Sequence, residues 1–420
     1  MKTNRYIVLL DNQEKSSVNA IQKDFSVSVT SSEDLSKTNR SFDVINEQNA
    51  VLYKNLNVVV MENVTETELQ EALKDSTSPV IGYEKEREFV IAGEIEIIDE
   101  LKKNVESVQK KIVELENFIQ NKPLPQQQDT KLEWGIKALG IADTQFSGKG
   151  IDICILDTGL DISHPDFQHR NIEGKSFIQG EVWDKDPKGH GTHCTGIAAG
   201  NVRADNGNRY GVAKDANIKI AKVLNNLGKG TASGIVDAID WAITKKFRIV
   251  SMSLASYVGI NEKPSTLFEE IGKRALENNC LLIAAAGNDS NRPSVPEPVS
   301  MPANSSSIIA IAAIDSQLKI AKFSNAGINA STGGCIDFCA PGVDIFSTFS
   351  LKTKTSPKYH AMSGTSMATP FVSGMVALYM EKFPQKTASE IWKLLEKNAK
   401  KIEGLKFRDI GNGLIQMPTP

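Results

Sequence analysis

From about Lys131 onward the chain repeats one unit, a short apolar run followed by a segment of helical composition. The runs are IDICILD, IKIAKVL, RIVSMSL, CLLIAAAG and IIAIAA, and the helical segments include TASGIVDAIDWAITKK, STLFEEIGKRALENN and MATPFVSGMVALYMEKF. Runs that are apolar on successive residues suit strands covered on both faces, as in parallel sheets. The segments between them have the length of crossover helices. Residues 131–420 are therefore expected to form an α/β domain with a doubly wound, mostly parallel sheet. Its ligands should bind beyond the carboxyl ends of the strands.

At 420 residues the chain exceeds one ordinary core, so a second unit is expected. Residues 1–93 read as a small α+β domain. RYIVLLD and VLYKNLNVVVME have strand composition, TETELQEALKD is a helix opened by Thr65, and VIGYEKEREFVIAG returns to strand. This unit contains neither His nor Cys. Residues 94–130 differ from both neighbours. Ile98, Leu101, Val105, Val108, Ile112, Leu115 and Ile119 fall at alternating steps of three and four, an a/d stripe. Such a helix (94–121) either forms a short coiled coil, recruiting a partner or a second copy, or lays its stripe on its own protein. KPLPQQQDT then forms a linker and a candidate cleavage segment.

A net charge of −3 gives no reason to expect nucleic acid or an acidic membrane as partner. No apolar run approaches the roughly 18 residues of a membrane span. MKTNRYIVLLDNQEK offers only YIVLL where a secretory signal needs about 7–15 apolar residues. The cytoplasm is the expected location, with secretion the alternative if a leader has been removed. The five cysteines (Cys154, Cys194, Cys280, Cys335 and Cys339) are scattered, mostly in apolar segments, and read as buried hydrophobes. Cys335 and Cys339 have no second pair to complete a zinc site.

Chemistry gathers at the ends of the apolar runs. IDICILDTGLD closes its strand with Asp157, a carboxylate that needs a hydrogen-bonding partner if buried. DPKGHGTHCTGIAAG places His190 between two glycines, just ahead of a helical run, with His193 beside it as a packed neighbour. YHAMSGTSMATPFVSG sets Ser366 at or just before a helix N-terminus, where unpaired N–H groups and the macrodipole favour developing negative charge. Pro370 is expected in that helix's first turn. CLLIAAAGND puts Asn288 after Gly287 at a strand end, a candidate oxyanion donor. Together these residues supply an orienting carboxylate, a general base, a nucleophile and a donor.

These four segments, DTGLD…HPDF, HGTHCTG, AAAGN and GTSMATP, resemble those of the subtilisin-like serine proteases, in the family's order Asp, His, Ser. The resemblance covers essentially all of 131–420. It implies a serine endopeptidase working through an acyl-enzyme, with Ser366 as nucleophile, His190 as base, Asp157 fixing the imidazole tautomer and Asn288 binding the oxyanion. It implies an extended peptide or protein substrate paired between Gly228-Lys229-Gly230 and Ser253-Leu254-Ala255. No cofactor is implied for the chemistry; structural calcium is, with Asp166 at a ligand position and NVRADNGNRYG as a matching loop. The N-terminal unit resembles, more loosely, the family's inhibitory propeptide, which also templates a slow-folding parallel sheet. FVIAG would then approach the cleft in a self-inhibited zymogen that processes itself.

The pattern also departs from the family. Residues 94–130 intervene where a propeptide usually meets the enzyme directly, leaving maturation near Gly93, within KPLPQQQ, or at both. Ala255 replaces a usual Gly and should narrow the primary specificity pocket. Asp289 stands where it would favour a basic side chain at the rim. The alternative from another class is a non-catalytic peptide-binding protein on the same fold.

Overall fold

A computed structural model describes residues 5–11, 14–37, 49–92, 132–202, 207–331, 333–353 and 357–417. The stripe at 94–121, the KPLPQQQ segment and Gly93 lie outside the described residues.

The large domain is built on seven strands: β7 (Asp152–Asp157), β8 (Ile172–Ser176), β9 (Asn217–Lys222), β11 (Ile249–Met252), β13 (Leu281–Ala285), β14 (Ile309–Ile314) and β15 (Phe338–Pro341). They are ordered β15-β14-β13-β11-β7-β9-β8, and every neighbouring pair is parallel. The five apolar runs are all central strands. The two edge strands were not anticipated: β8 is only half-buried throughout, so its sequence IEGKS has no apolar run to read. Chain order reverses between β7 and β11, which makes their carboxyl ends the switch point where a doubly wound sheet opens a crevice. Asp157 ends β7, and Ser253 follows β11 directly.

Two helices bring the other groups to that crevice. One, His190–Ala199, begins at the histidine itself. The other, Thr365–Lys382, is buried over almost its whole length. Such a helix shows no amphipathic stripe because protein surrounds it on all sides.

The N-terminal unit is a five-stranded sheet: β1 (Arg5–Leu10), β2 (Ser28–Ser31), β3 (Asn49–Tyr53), β4 (Val58–Glu62) and β5 (Val80–Lys85), ordered β2-β3-β4-β1-β5. VLYKNLNVVVME is a hairpin, turning at Asn57 with φ of 45°. Thr65 caps the helix Glu66–Lys74, its hydroxyl and backbone exchanging bonds with Glu68. Both faces of this sheet are covered. Tyr6, Val8, Leu10, Val59 and Met61 pack under the unit's own elements. Ile7, Leu9, Val51, Tyr53, Val58 and Val60 join the core of the large domain. That second cover explains why β1, antiparallel to both its neighbours, is as continuously apolar as RYIVLL.

Polar contacts tie the unit to two helix N-termini. Glu84 accepts from the Leu267 N–H at 3.1 Å and the Ser265 hydroxyl at 2.7 Å, at the start of the helix Thr266–Glu277. Glu86 accepts from the Ser233 N–H at 2.8 Å, at the start of the helix Ala232–Thr244. An acid at such a site gains roughly 0.3–1 kcal/mol from the macrodipole, more when partly buried. Asp240 of the second helix accepts from Ser32 at 2.8 Å and Asn55 at 3.0 Å.

Candidate active site

Asp157 and His190 are both buried, and imidazole Nδ1 lies 2.8 and 2.9 Å from the two carboxylate oxygens. The Thr158 N–H donates to Asp157 at 2.7 Å and fixes the carboxylate further. The histidine helix comes this close because Gly191 lacks a Cβ; one added there would sit 2.2 Å from the Gly159 carbonyl. Burial opposes a charge on His190. The Asp157 carboxylate and the neighbouring Cys194 outweigh it, so the imidazole holds a proton well above its ordinary range. Its Nε2 is buried without a partner. His193 differs: burial pushes it down to about 3, so it stays neutral and packs, as expected of it.

Ser366 is the second residue of its helix. Its hydroxyl donates to the Ser253 carbonyl at 3.3 Å. Pro370 falls in the second turn, not the first as expected, because the helix already starts at Thr365. A proline there withholds the N–H that the Ser366 carbonyl would otherwise receive. The Ser253 hydroxyl donates to that carbonyl instead at 2.8 Å, with the Cys194 thiol at 3.5 Å.

Asn288 is oriented by a residue that the sequence reading missed. Its Oδ1 accepts from the Thr365 N–H at 2.8 Å and the Thr365 hydroxyl at 2.9 Å, which turns Nδ2 toward the cleft. There Nδ2 donates to the Ala92 carbonyl at 2.5 Å. The signal was present, since Thr365 precedes Ser366 in GTSMATP, but its target lies 77 residues away.

A strand of this chain lies between the two segments expected to flank a substrate. Strand β6 (Glu88–Ile91) lies antiparallel between β10 (Lys229–Thr231) and β12 (Leu254–Ala255). Val90 pairs with Lys229 and Ala255, Phe89 with Gly230, Ile91 with Leu254, and the Ile91 N–H donates to the Gly228 carbonyl at 3.2 Å. Phe89 is fully buried and meets the Phe268 ring edge-on at 5.5 Å. The Ala92 methyl packs in a small cluster with Ala255 and Ala285.

Asp166 stands apart from this chemistry. Its carboxylate accepts from Tyr210 at 2.7 Å and Tyr359 at 2.8 Å, beside His164. Phenol donors engage each of its oxygens once among the described residues. Residues 203–206 of the matching loop lie outside the described residues. Asp289 accepts from Asn325 at 2.8 Å and Ser300 at 3.2 Å. All five cysteines are free, Cys335 and Cys339 included. Among the described residues, the one grouping of metal-capable side chains is Asp157, His190 and Cys194, the candidate site itself.

Comparison with known proteins agrees with this geometry. The Subtilase family pattern matches residues 148–413. The chain belongs to the subtilase family. It is 35% identical to subtilisin DY of Bacillus licheniformis over 283 residues, 67% of this chain and 94% of that protein. It is 35% identical to the major intracellular serine protease of Bacillus subtilis (strain 168) over 295 residues, 68% of this chain and 86% of that protein. Subtilisin E of the same organism is 35% identical over 67% of this chain and 68% of its own length. This subtilase is a serine endopeptidase, a hydrolase of peptide bonds. Catalysis in subtilisins requires no cofactor, and calcium is at most structural. Among the described residues, no helix is long and apolar enough to cross a membrane.

Proposed function

We propose that this endopeptidase is made as a self-inhibited zymogen, and that it cuts its own chain between Ala92 and Gly93. The observation that carries this reading is the Ala92 carbonyl, 2.5 Å from Asn288 Nδ2 at the end of a strand clamped between both cleft walls. In the proposed step, Ser366 Oγ attacks the Ala92 carbonyl carbon while His190 Nε2 takes the hydroxyl proton. Asp157 holds the tautomer that exposes Nε2 and stabilises the imidazolium. Asn288 and the Ser366 N–H receive the developing oxyanion, a contribution of roughly 3–4 kcal/mol in other acyl-transfer enzymes. His190 then gives its proton to the departing Gly93 amine, and water releases the acyl group by the reverse sequence. After cleavage the unit 1–92 remains in the cleft as an inhibitor, held by the Glu84, Glu86 and Asp240 contacts. The similarity to the major intracellular serine protease of Bacillus subtilis supports a cytoplasmic enzyme, in which such restraint protects the cell's own proteins.

The intact mass of the purified full chain beside Ser366→Ala tests the reading. Wild type should separate into fragments ending at Ala92 and beginning at Gly93, and the variant should stay whole, in line with losses of about 10⁶-fold in kcat when a subtilisin nucleophile is removed. Cleavage of the variant at that bond, or a wild-type cut only within 120–130, would overturn it.

A further inference from the structure

Asp186 opens the stretch DPKGHGTHCTG, yet nothing in the sequence marks it out, and it is fully buried close to Asp157. Its carboxylate accepts four hydrogen bonds. The Thr158 hydroxyl at 2.8 Å and the Gly189 N–H at 2.9 Å reach Oδ1. The Thr192 N–H at 2.8 Å and the Thr192 hydroxyl at 2.7 Å reach Oδ2. All four donors are neutral. Burial lifts this carboxyl's pKa above its ordinary range, and the bonds from Thr192 and Thr158 oppose that rise. Burying an acid among neutral groups is costly, and the places its four donors come from show what it does.

Gly189 precedes His190 and Thr192 follows it by two residues, so one carboxylate grips the chain on both sides of the imidazole. Thr158 adds a third point. It follows Asp157 directly, and its hydroxyl accepts from the Gly191 N–H at 2.9 Å while donating to Asp186. The Thr158 N–H in turn donates to the Asp157 carboxylate. The end of β7 and the first turn of the helix His190–Ala199 are thus tied to a single anion. We infer that Asp186 is a positioning residue, which sets the distance and angle between His190 Nδ1 and the Asp157 carboxylate. It acts through Gly189, Thr192 and Thr158 rather than on the imidazole itself. The inference rests on the proposed roles of Asp157 and His190 in the reaction.

Asp186→Asn keeps the shape of the side chain but not its pattern of acceptors. Each carboxylate oxygen accepts from one backbone N–H, which cannot turn, so the amide NH₂ of the variant must face one of them. The direct readout is the proton between His190 Nδ1 and Asp157, which in a short hydrogen bond shielded from water gives a far-downfield proton NMR signal. It is recorded on the full chain carrying Ser366→Ala. That parent should show the signal, and adding Asp186→Asn should move it upfield or lose it to exchange with water. With Ser366 restored, Asp186→Asn should lower kcat on Phe-Val-Ile-Ala p-nitroanilide by about 100-fold, the scale of a ~1 Å misplacement, and leave KM unchanged. If Asp186→Asn does not fold, Thr158 decides in the same Ser366→Ala chain. Thr158→Val removes the hydroxyl and should lose the signal, and Thr158→Ser should keep it. A signal unmoved by Asp186→Asn or by Thr158→Val overturns the inference, as does an unchanged kcat. A parent without the signal lacks the bond that Asp186 is inferred to set and overturns it too. A wild-type chain that neither cuts itself nor hydrolyses the anilide overturns the proposed function, while the signal still reports whether Asp186 positions the pair.

Discussion

Pro370 and Ser253 act as one device although they lie on different elements. The proline removes a helical bond from the Ser366 carbonyl, and the Ser253 hydroxyl replaces it from the end of the neighbouring strand β11. The backbone of the proposed nucleophile is thereby fastened to the segment that runs on from β11 into β12, one wall of the cleft. At the same scale, His190 gives a pH prediction. A general base must be neutral to accept a proton, and the Asp157 carboxylate holds this imidazole's pKa above the ordinary value of about 6.5. Activity is therefore lost as pH falls through that raised pKa. The acid limb of kcat/KM on a p-nitroanilide should have its midpoint above about 6.5; a midpoint at or below it would remove the electrostatic argument. The side chains proposed to react stand out in the sequence because each sits in a tight local pattern of small residues. The parts that position them, Thr365 on Asn288 and Ser253 on Ser366, were not, since their partners are 77 and 113 residues distant.

Strand β12 is two residues long, and we propose that its Ala255 sets the size of the primary specificity pocket. Its methyl meets the Ala92 methyl and Ala285 in a cluster that leaves both Ala92 and Ala255 almost fully buried. Ala255→Gly should therefore raise kcat/KM for a peptide cut after Phe by about tenfold relative to one cut after Ala. That corresponds to relief of about 1–3 kcal/mol of overpacking, and steady-state kinetics on the two anilides would show it. An unchanged ratio would mean that another wall limits the pocket. The elements that escaped sequence reading share a cause. The edge strand β8 keeps charged residues because one side is open, and β15 includes Pro341, which suits an edge but does not read as a strand. Central strands announce themselves by double burial; edges do not.

For the whole molecule, the N-terminal unit and the enzyme share a core, and only their polar seams can be adjusted without exposing it. Asp240 is the clearest seam, a buried carboxylate on the enzyme satisfied by Ser32 and Asn55 of the unit. Asn55→Asp replaces a donor with a second negative charge. Removing a hydrogen bond to a charged group costs about 1.5–3 kcal/mol, so inhibition after cleavage should weaken by tenfold or more. The approach of p-nitroanilide hydrolysis to its final rate would report it; an unaltered time course would show that the apolar face alone sets the grip. This shared core was the least legible feature, because RYIVLL and VVVM look the same whether their second face meets helices of their own unit or of another. The sequence led to the expectation that FVIAG approaches the cleft, but not to the apolar face by which the rest of the unit packs on the large domain.

Strand β6 is hydrogen-bonded along both edges at once, to β10 on one side and β12 on the other. A client protein that takes its place must offer a segment with neither edge already engaged. Interior strands and helices of a folded protein cannot do so without first coming apart. The cleft therefore ranks clients by how readily a short stretch of backbone detaches, before any side chain is read. Damaged, unfolded or locally frayed chains come first, and a stable native protein is spared by its own hydrogen bonds.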